Sequence, residues 1–196
     1  EVTSILDLEE LLPHTVNIIC EAYGLYYAGV FMLDEAGEYA VLRAGYGKAG
    51  KAMVADGHKL KVGTDSMIGA CIAMGEARIA LDVGEERVHF KNPHLPHTRS
   101  EMALPLIYGG KALGAVTIQS SEERAFSEDD ITTLLTMAEH LAVAINKARL
   151  IEELKEAHNE ILRNKVFEAL TTASTEAIHW IGNKTLPISL TVARLR

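Results

Sequence analysis

From Ser127 to Ile181 the sequence contains neither glycine nor proline. Roughly 55 uninterrupted helical residues would extend ~80 Å, far beyond the width of one globular domain. A helix of that length needs a partner along its side, and coiled-coil pairing is the simplest one. Its start is marked as well. Ser127 is a good N-cap, Asp130 stands three residues on, and Glu128 and Asp129 sit at the positive end of the helix dipole. Around Ile151 to Leu162 two heptad registers fit about equally, as a stutter would produce.

The preceding residues alternate differently. "DLEELLPHTVNIICEAYG" places Leu8, Leu11, Leu12, Val16, Ile19 and Cys20 largely on one helical face, with Gly24 as the stop. "YYAGVFMLD" and "EYAVLRAGYG" read as strands joined by the turn "DEAGE", hence a hairpin. Residues 47 to 57, rich in glycine and lysine, read as a loop. "HKLKVG" follows as a short strand, "TDSMIGACIAMG" as a helix capped by Thr64 or Asp65, and "RIALDV" as another short strand. Residues 84 to 99 have no period and carry two prolines and three histidines, the pattern of a long functional loop. "SEMALPLIY" and "KALGAVTIQS" form a second hairpin across Gly109-Gly110. Antiparallel pairs separated by helix and loop define an α+β class.

A chain of 196 residues accommodates one domain of ~100–150 residues and an extension. With 48% hydrophobic residues it can bury a core. Its net charge of −8 and the lack of a lysine or arginine cluster argue against nucleic acid as a partner. No apolar run reaches the ~20 residues that cross a bilayer, and no signal peptide opens the chain, so a cytoplasmic location without membrane contact is expected. Cys20 and Cys71 lie far apart in apolar segments, as buried thiols in a reducing compartment would.

The stretch "NPHLPHTRSEMALPLIYGGKALGAVTIQSSEERAFSEDD" resembles a GAF domain, in particular those attached to sensor histidine kinases. The resemblance covers about residues 1 to 150. It implies an antiparallel sheet of about six strands with helices on one face, and a ligand pocket roofed by the long loop. "IHWIGNK" in turn resembles the H-box of a histidine kinase dimerisation helix. The expected organisation is a GAF sensory domain at 1–148, a signalling helix at 149–165, and the first helix of a dimerisation and phosphoacceptor domain at 166–196.

Leu170, Ser174, Ala177, Ile181, Lys184 and Ile188 keep a four-three spacing that Phe167 extends backwards. If this row is the seam, His179 lies on the outward side, with Glu176 at i−3 and Asn183 at i+4 on its face. Gly182 and Pro187 predict a local bend. An outward imidazole, with an unperturbed pKa of ~6.5, is largely neutral at pH 7 and can attack a γ-phosphate. The resemblance makes His179 the phosphoacceptor and gives Asn183 the place of an amide that orients water or phosphate. Many such kinases carry an acidic residue directly after the histidine. Here that place holds Trp180, so Glu176 is expected to substitute or transfer to be slow. The 196 residues hold no Gly-rich ATP lid and no Asn or DxG box, so ATP and magnesium are expected on a further domain. A homodimer through the long helix and a response regulator are the implied partners.

For the pocket, the loop is enriched in histidine, with His89, His94 and His97, and His58 stands on a predicted strand, where GAF domains of this kind are expected to carry apolar or acidic residues; Phe31, Arg43 and Met102 complete the candidate pocket. Imidazole can ligate haem iron, and His94 falls close to where haem-binding relatives place a ligand, with His97 next. A haem-based gas or redox sensor is therefore an alternative, as is a ligand-free GAF dimerisation scaffold; a small-molecule effector is the third. A bilin lacks its cysteine in the loop. A cyclic-nucleotide pattern survives only as Phe126 and Asp130, and a cysteine-based methionine-sulfoxide reductase lacks clustered thiols.

Overall fold

The computed structural model describes the backbone of residues 8–63, 65–84 and 91–193, and side chains through Ile181 except that of His179. The chain divides into two compact units, Glu1–Arg149 and Leu150–Arg196. In the first, the elements run α1 (Leu8–Tyr23), β1 (Tyr27–Leu33), β2 (Tyr39–Gly45), α2 (Gly47–Ala55), β3 (Lys59–Lys61), α3 (Met67–Met74), β4 (Arg78–Ala80), β5 (Ser100–Tyr108) and β6 (Lys111–Ser120). Helix α4 (Glu128–Ala193) begins in the first unit and forms the second.

All strand pairs are antiparallel, in the order β3-β2-β1-β6-β5-β4. Both hairpins follow from their turns. Asp34 Oδ1 accepts the amides of Glu38 and Tyr39 at 2.9 and 3.2 Å, closing the first. Gly109 and Gly110 both adopt positive φ, 57° and 77°, which a tight two-residue hairpin requires.

Helices cover both faces of the sheet rather than one. On one face Met102, Leu104, Leu106, Val116 and Ile118 pack with Leu12, Val16 and Ile19 of α1 and with Leu134, Leu141 and Ile145 of α4. On the other, Phe31, Leu42 and Ala103 pack with Met53 of α2, with Met67, Ile68 and Cys71 of α3, and with Leu95. Central strand β1 is accordingly buried along almost its whole length. Each such aliphatic side chain, fully withdrawn from water, contributes ~1.5–3 kcal/mol.

The Ser127 cap forms as its sequence predicts: Asp130 N–H donates to Ser127 Oγ at 3.2 Å, and Ser127 N–H returns to Asp130 Oδ2 at 3.0 Å. Hydrogen bonds from the Ser127 side chain and backbone hold the Asp130 carboxyl below its usual range. Two local expectations change. Residues 47–55 are helical, because Gly50 lets α2 seat directly on Gly45; tertiary fit overrides the weak propensity of a glycine-rich run. The cap of α3 is Ser66, whose Oγ accepts Gly69 N–H at 2.9 Å, rather than Thr64 or Asp65; Thr64 lies outside the described residues. Helix α4 continues through Pro187 to Ala193.

Candidate functional site

The face of the sheet beneath α2 and α3 carries a row of polar side chains. Strand register places Tyr27 opposite Gln119, and Gln119 opposite Glu101, so three strands contribute one residue each to a line. Thr117 stands in the next row. The side chains are linked: Thr117 donates its hydroxyl to Glu101 Oε1 at 2.8 Å, and Gln119 Nε2 donates to the same oxygen at 3.2 Å. Thr98, in the loop, donates to Gln119 Oε1 at 2.7 Å and ties the loop to the sheet.

These residues floor a partly open cavity of about 20 Å³, room for a single water. Its walls are Phe31, Leu60, Met53 and His58, together with Ser66, Met67 and Ile68 from the first turn of α3. Asn92 and Leu95 form the roof, and Asn92 Nδ2 donates to Met53 Sδ at 3.1 Å. The Tyr27 ring lies over two backbones that lack a Cβ. An added methyl at Gly29 or Gly45 would come within 2.7 or 2.6 Å of its hydroxyl oxygen. That hydroxyl is buried, has no hydrogen-bond partner among the described residues, and burial pushes its pKa up.

The loop histidines are elsewhere. His94 is exposed, with Nε2 4.0 Å from Asp56 Oδ2, and the exposed His97 ring meets Tyr26 edge-on at 6.2 Å. His89 lies outside the described residues. Of the other expected pocket residues, Phe31 lines the cavity. Arg43 is exposed on β2, and Met102 packs in the opposite core with α1 and α4. The imidazole that does reach the cavity belongs to His58. Its N–H donates to Met53 O and its carbonyl accepts Leu42 N–H, both at 2.9 Å, so its backbone is fixed between α2 and β2. Its ring packs edge-on to Phe31 at 6.0 Å.

Haem does not fit this arrangement. A drug-sized ligand already occupies ~300 Å³ or more, and neither described loop histidine lines the cavity. Thiol chemistry is equally remote. Cys20 and Cys71 sit in separate cores, and burial raises both to about 12, leaving no nucleophilic thiolate near neutral pH.

Burial, reinforced by neighbouring His94, lowers the pKa of His58 from 6.5. The unfolded chain therefore binds this proton at higher pH than the folded one, and stability falls as pH drops below about 6.5 toward the folded value. Urea titrations of the protein and of His58→Gln should diverge in that window, the variant losing less stability on acidification. Parallel curves would show that His58 stays accessible to protons in the fold.

Among solved structures, the chain is similar to the GAF domain of a phosphoenolpyruvate-protein phosphotransferase from Coxiella burnetii, with 28% identity, 75% of this chain and 87% of that chain covered, and a TM-score of 0.68. It is also similar to free methionine-R-sulfoxide reductase from Neisseria meningitidis in complex with its substrate, with 22% identity, 74% and 82% covered, and a TM-score of 0.64. A domain assigned to a two-component sensor histidine kinase of Sinorhizobium meliloti 1021 matches with 20% identity, 76% and 96% covered, and a TM-score of 0.56. No curated protein matches. The family model for the GAF domain matches residues 5–146, most of the chain, and with the six-stranded sheet and its roofed cavity this places the chain in the GAF domain family.

Proposed function

We propose that this GAF domain is the sensory portion of a two-component histidine kinase, in which the state of the cavity controls phosphorylation of His179 through a dimeric helix. The observation that carries the reading is the surface of the second unit. Phe167, Leu170 and Ile181 are exposed on a single chain at the four-three spacing that Ser174 and Ala177 share, and the row runs into the H-box-like "IHWIGNK". An apolar row on so long a helix is the side a second copy would cover. Residues 149–165 then act as the signalling helix, and residues 166–196 as the phosphoacceptor segment. Glu176 is exposed on α4 and would orient the His179 ring; the side chains of His179 and Asn183 lie outside the described residues.

The connection from cavity to helix is short. Gln119, in the floor, lies one residue from Ser120, whose carbonyl accepts Arg99 N–H at 2.8 Å. Ser100 donates its hydroxyl to Glu122 O at 2.7 Å, and Arg99 pairs with Glu123. A change in the roof loop would therefore pull directly on the segment that leads into α4. A cytoplasmic setting and a response regulator as recipient belong to the same reading; no described helix is long and apolar enough to cross a membrane.

Protein isolated from the cells that make it should carry acid-labile phosphate on His179. His179→Gln is expected to remove that label completely while leaving the oligomeric mass unchanged. Undiminished label in the variant would take His179 out of the mechanism.

A further inference from the structure

We propose that the cavity recognises a small uncharged molecule with an apolar body and one oxygen, of the class of short aliphatic alcohols and ketones. The proposal rests on the sensory reading of this cavity and adds the chemical class it senses. The charge at the cavity is already taken up by the protein. Glu101, 5% exposed, accepts Thr117 and Gln119 at Oε1 and has a further interaction besides these. No lysine or arginine stands among the described lining residues, and burial lowers the pKa of His58, so its imidazole is neutral at pH 7. A carboxylate or phosphate ligand would meet Glu101 with no cation to offset it. An ammonium would have to draw Glu101 away from the partners it has. Either charge would be buried at a cost that a neutral molecule avoids.

The Tyr27 hydroxyl is the sign of a ligand. Tyr27 is 2% exposed and lines the cavity, and its hydroxyl has no hydrogen-bond partner among the described residues. A buried hydroxyl left so is costly unless something in the cavity bonds it. A Cβ added at Gly45 would stand 2.6 Å from this oxygen and 2.7 Å from the Gly50 Cα, so the hydroxyl is packed against α2, the helix that carries Met53. Burial pushes its pKa up, so it stays protonated and can donate. The matching ligand atom is an acceptor, a carbonyl or hydroxyl oxygen. Neighbouring polar side chains are bonded within the protein: Gln119 to Thr98, Asn92 to Met53 and Ser66 to Gly69. One oxygen on the ligand therefore suffices.

The rest of the lining is apolar: Phe31, Met53, Leu60, Met67, Ile68 and Leu95. Such walls favour methyl groups over further polar atoms. The space of about 20 Å³ takes one water, so the ligand is limited to a few heavy atoms and the roof of Asn92 and Leu95 must give way. Asn92 is held to Met53 through sulfur, a weak acceptor, so this part of the roof opens at little cost. Met53 and Met67, with three rotatable bonds each, are the side chains best able to make room.

The test uses the full 196-residue chain, dialysed and isotope-labelled at the methyl groups of its six methionines, and follows their NMR signals. Acetone and isopropanol are the neutral probes; acetate and isopropylamine match them in size and carry a charge. Met53 and Met67 line the cavity, while Met102 packs in the opposite core and Met74 is exposed, so the signals separate the site from the rest of the protein. The expected result is a saturable shift of Met53 and Met67 with a neutral probe, none with either charged probe at the same concentration, and Met102 and Met74 unmoved. Tyr27→Phe should weaken that binding about two- to tenfold, the effect of one neutral hydrogen bond. Because the hydroxyl it removes has no partner in the ligand-free fold, it should not lower the melting temperature. Charged probes that shift Met53 and Met67 as strongly as the neutral ones, or four inert probes, overturn the proposal. A clear loss of melting temperature in Tyr27→Phe does so too, since a resident water would then already bond the hydroxyl. Measuring His179 phosphate alongside separates the two readings. Neutral-probe binding with an unresponsive His179 keeps the site and removes the kinase reading; four inert probes with His179 still answering another stimulus do the reverse.

Discussion

Gly50→Ala is expected to destabilise the first unit by about 3 kcal/mol, the upper range of an overpacked core, and to lower its melting temperature by about 6–12 °C. A Cβ at Gly50 would fall on the carbonyl carbon and oxygen of Gly45, and only 2.6 Å from its Cα. All three atoms are backbone in strand β2, so no side chain can swing away and α2 itself must lift. The change also carries a gain of ~1 kcal/mol in helix propensity, which the clash outweighs. Because Met53 lies one turn beyond Gly50 and walls the cavity, the lift should open the cavity as well. Lys51→Ala, exposed on the same helix, is the control and should shift stability by less than ~0.5 kcal/mol. A Gly50→Ala midpoint equal to that of Lys51→Ala would show that α2 does not seat on Gly45 in solution.

The same glycine explains where sequence reasoning falls short. Residues 47–57 look like a loop because glycine and lysine offer little local preference, and what makes them helical is a backbone contact with a strand. The long helix and both hairpins were legible because their signals are local: a capping box at Ser127, an Asp34 turn and a Gly109-Gly110 turn. Family resemblance supplied the strand count. The cavity was harder. Histidine enrichment marks His58 along with the loop, yet the described loop histidines do not line the cavity, and nothing in the local sequence marks Tyr27, Glu101, Thr117 and Gln119 as its floor. Only phase gives a signal. Glu101, Thr117 and Gln119 are polar at positions in phase with inward-facing alanines 103 and 115. It was hidden because helices cover both faces, so alternation does not tell which face is which. Met102 and Arg43 went astray for that reason: Met102 is buried on the opposite face, and Arg43 is exposed between the buried Leu42 and Ala44.

The largest expected effect on assembly comes from the double substitution Phe167→Glu, Leu170→Glu, which should convert a dimer of roughly twice 21.4 kDa into a monomer. Phe167 is 71% exposed and Leu170 63% on the single chain, and both fall in the row that Ser174, Ala177 and Ile181 continue at heptad spacing. An isolated helix gains little from its own propensity, so most of its stability must come from burying such a row. Burying an apolar side chain fully is worth ~1.5–3 kcal/mol, so four of them across a dimer supply ~6 kcal/mol or more. A micromolar dimer has only about 8 kcal/mol to lose, and the variant also brings four carboxylates to the seam. Lys165→Glu changes the charge by the same two units per chain but stands off the row, so it should leave the dimer intact. Sedimentation equilibrium across protein concentrations reads the outcome directly. A double variant that sediments with the wild-type dimer would place the contact on another face of the helix; a wild-type protein already monomeric at every concentration would remove the dimeric helix from the signalling route.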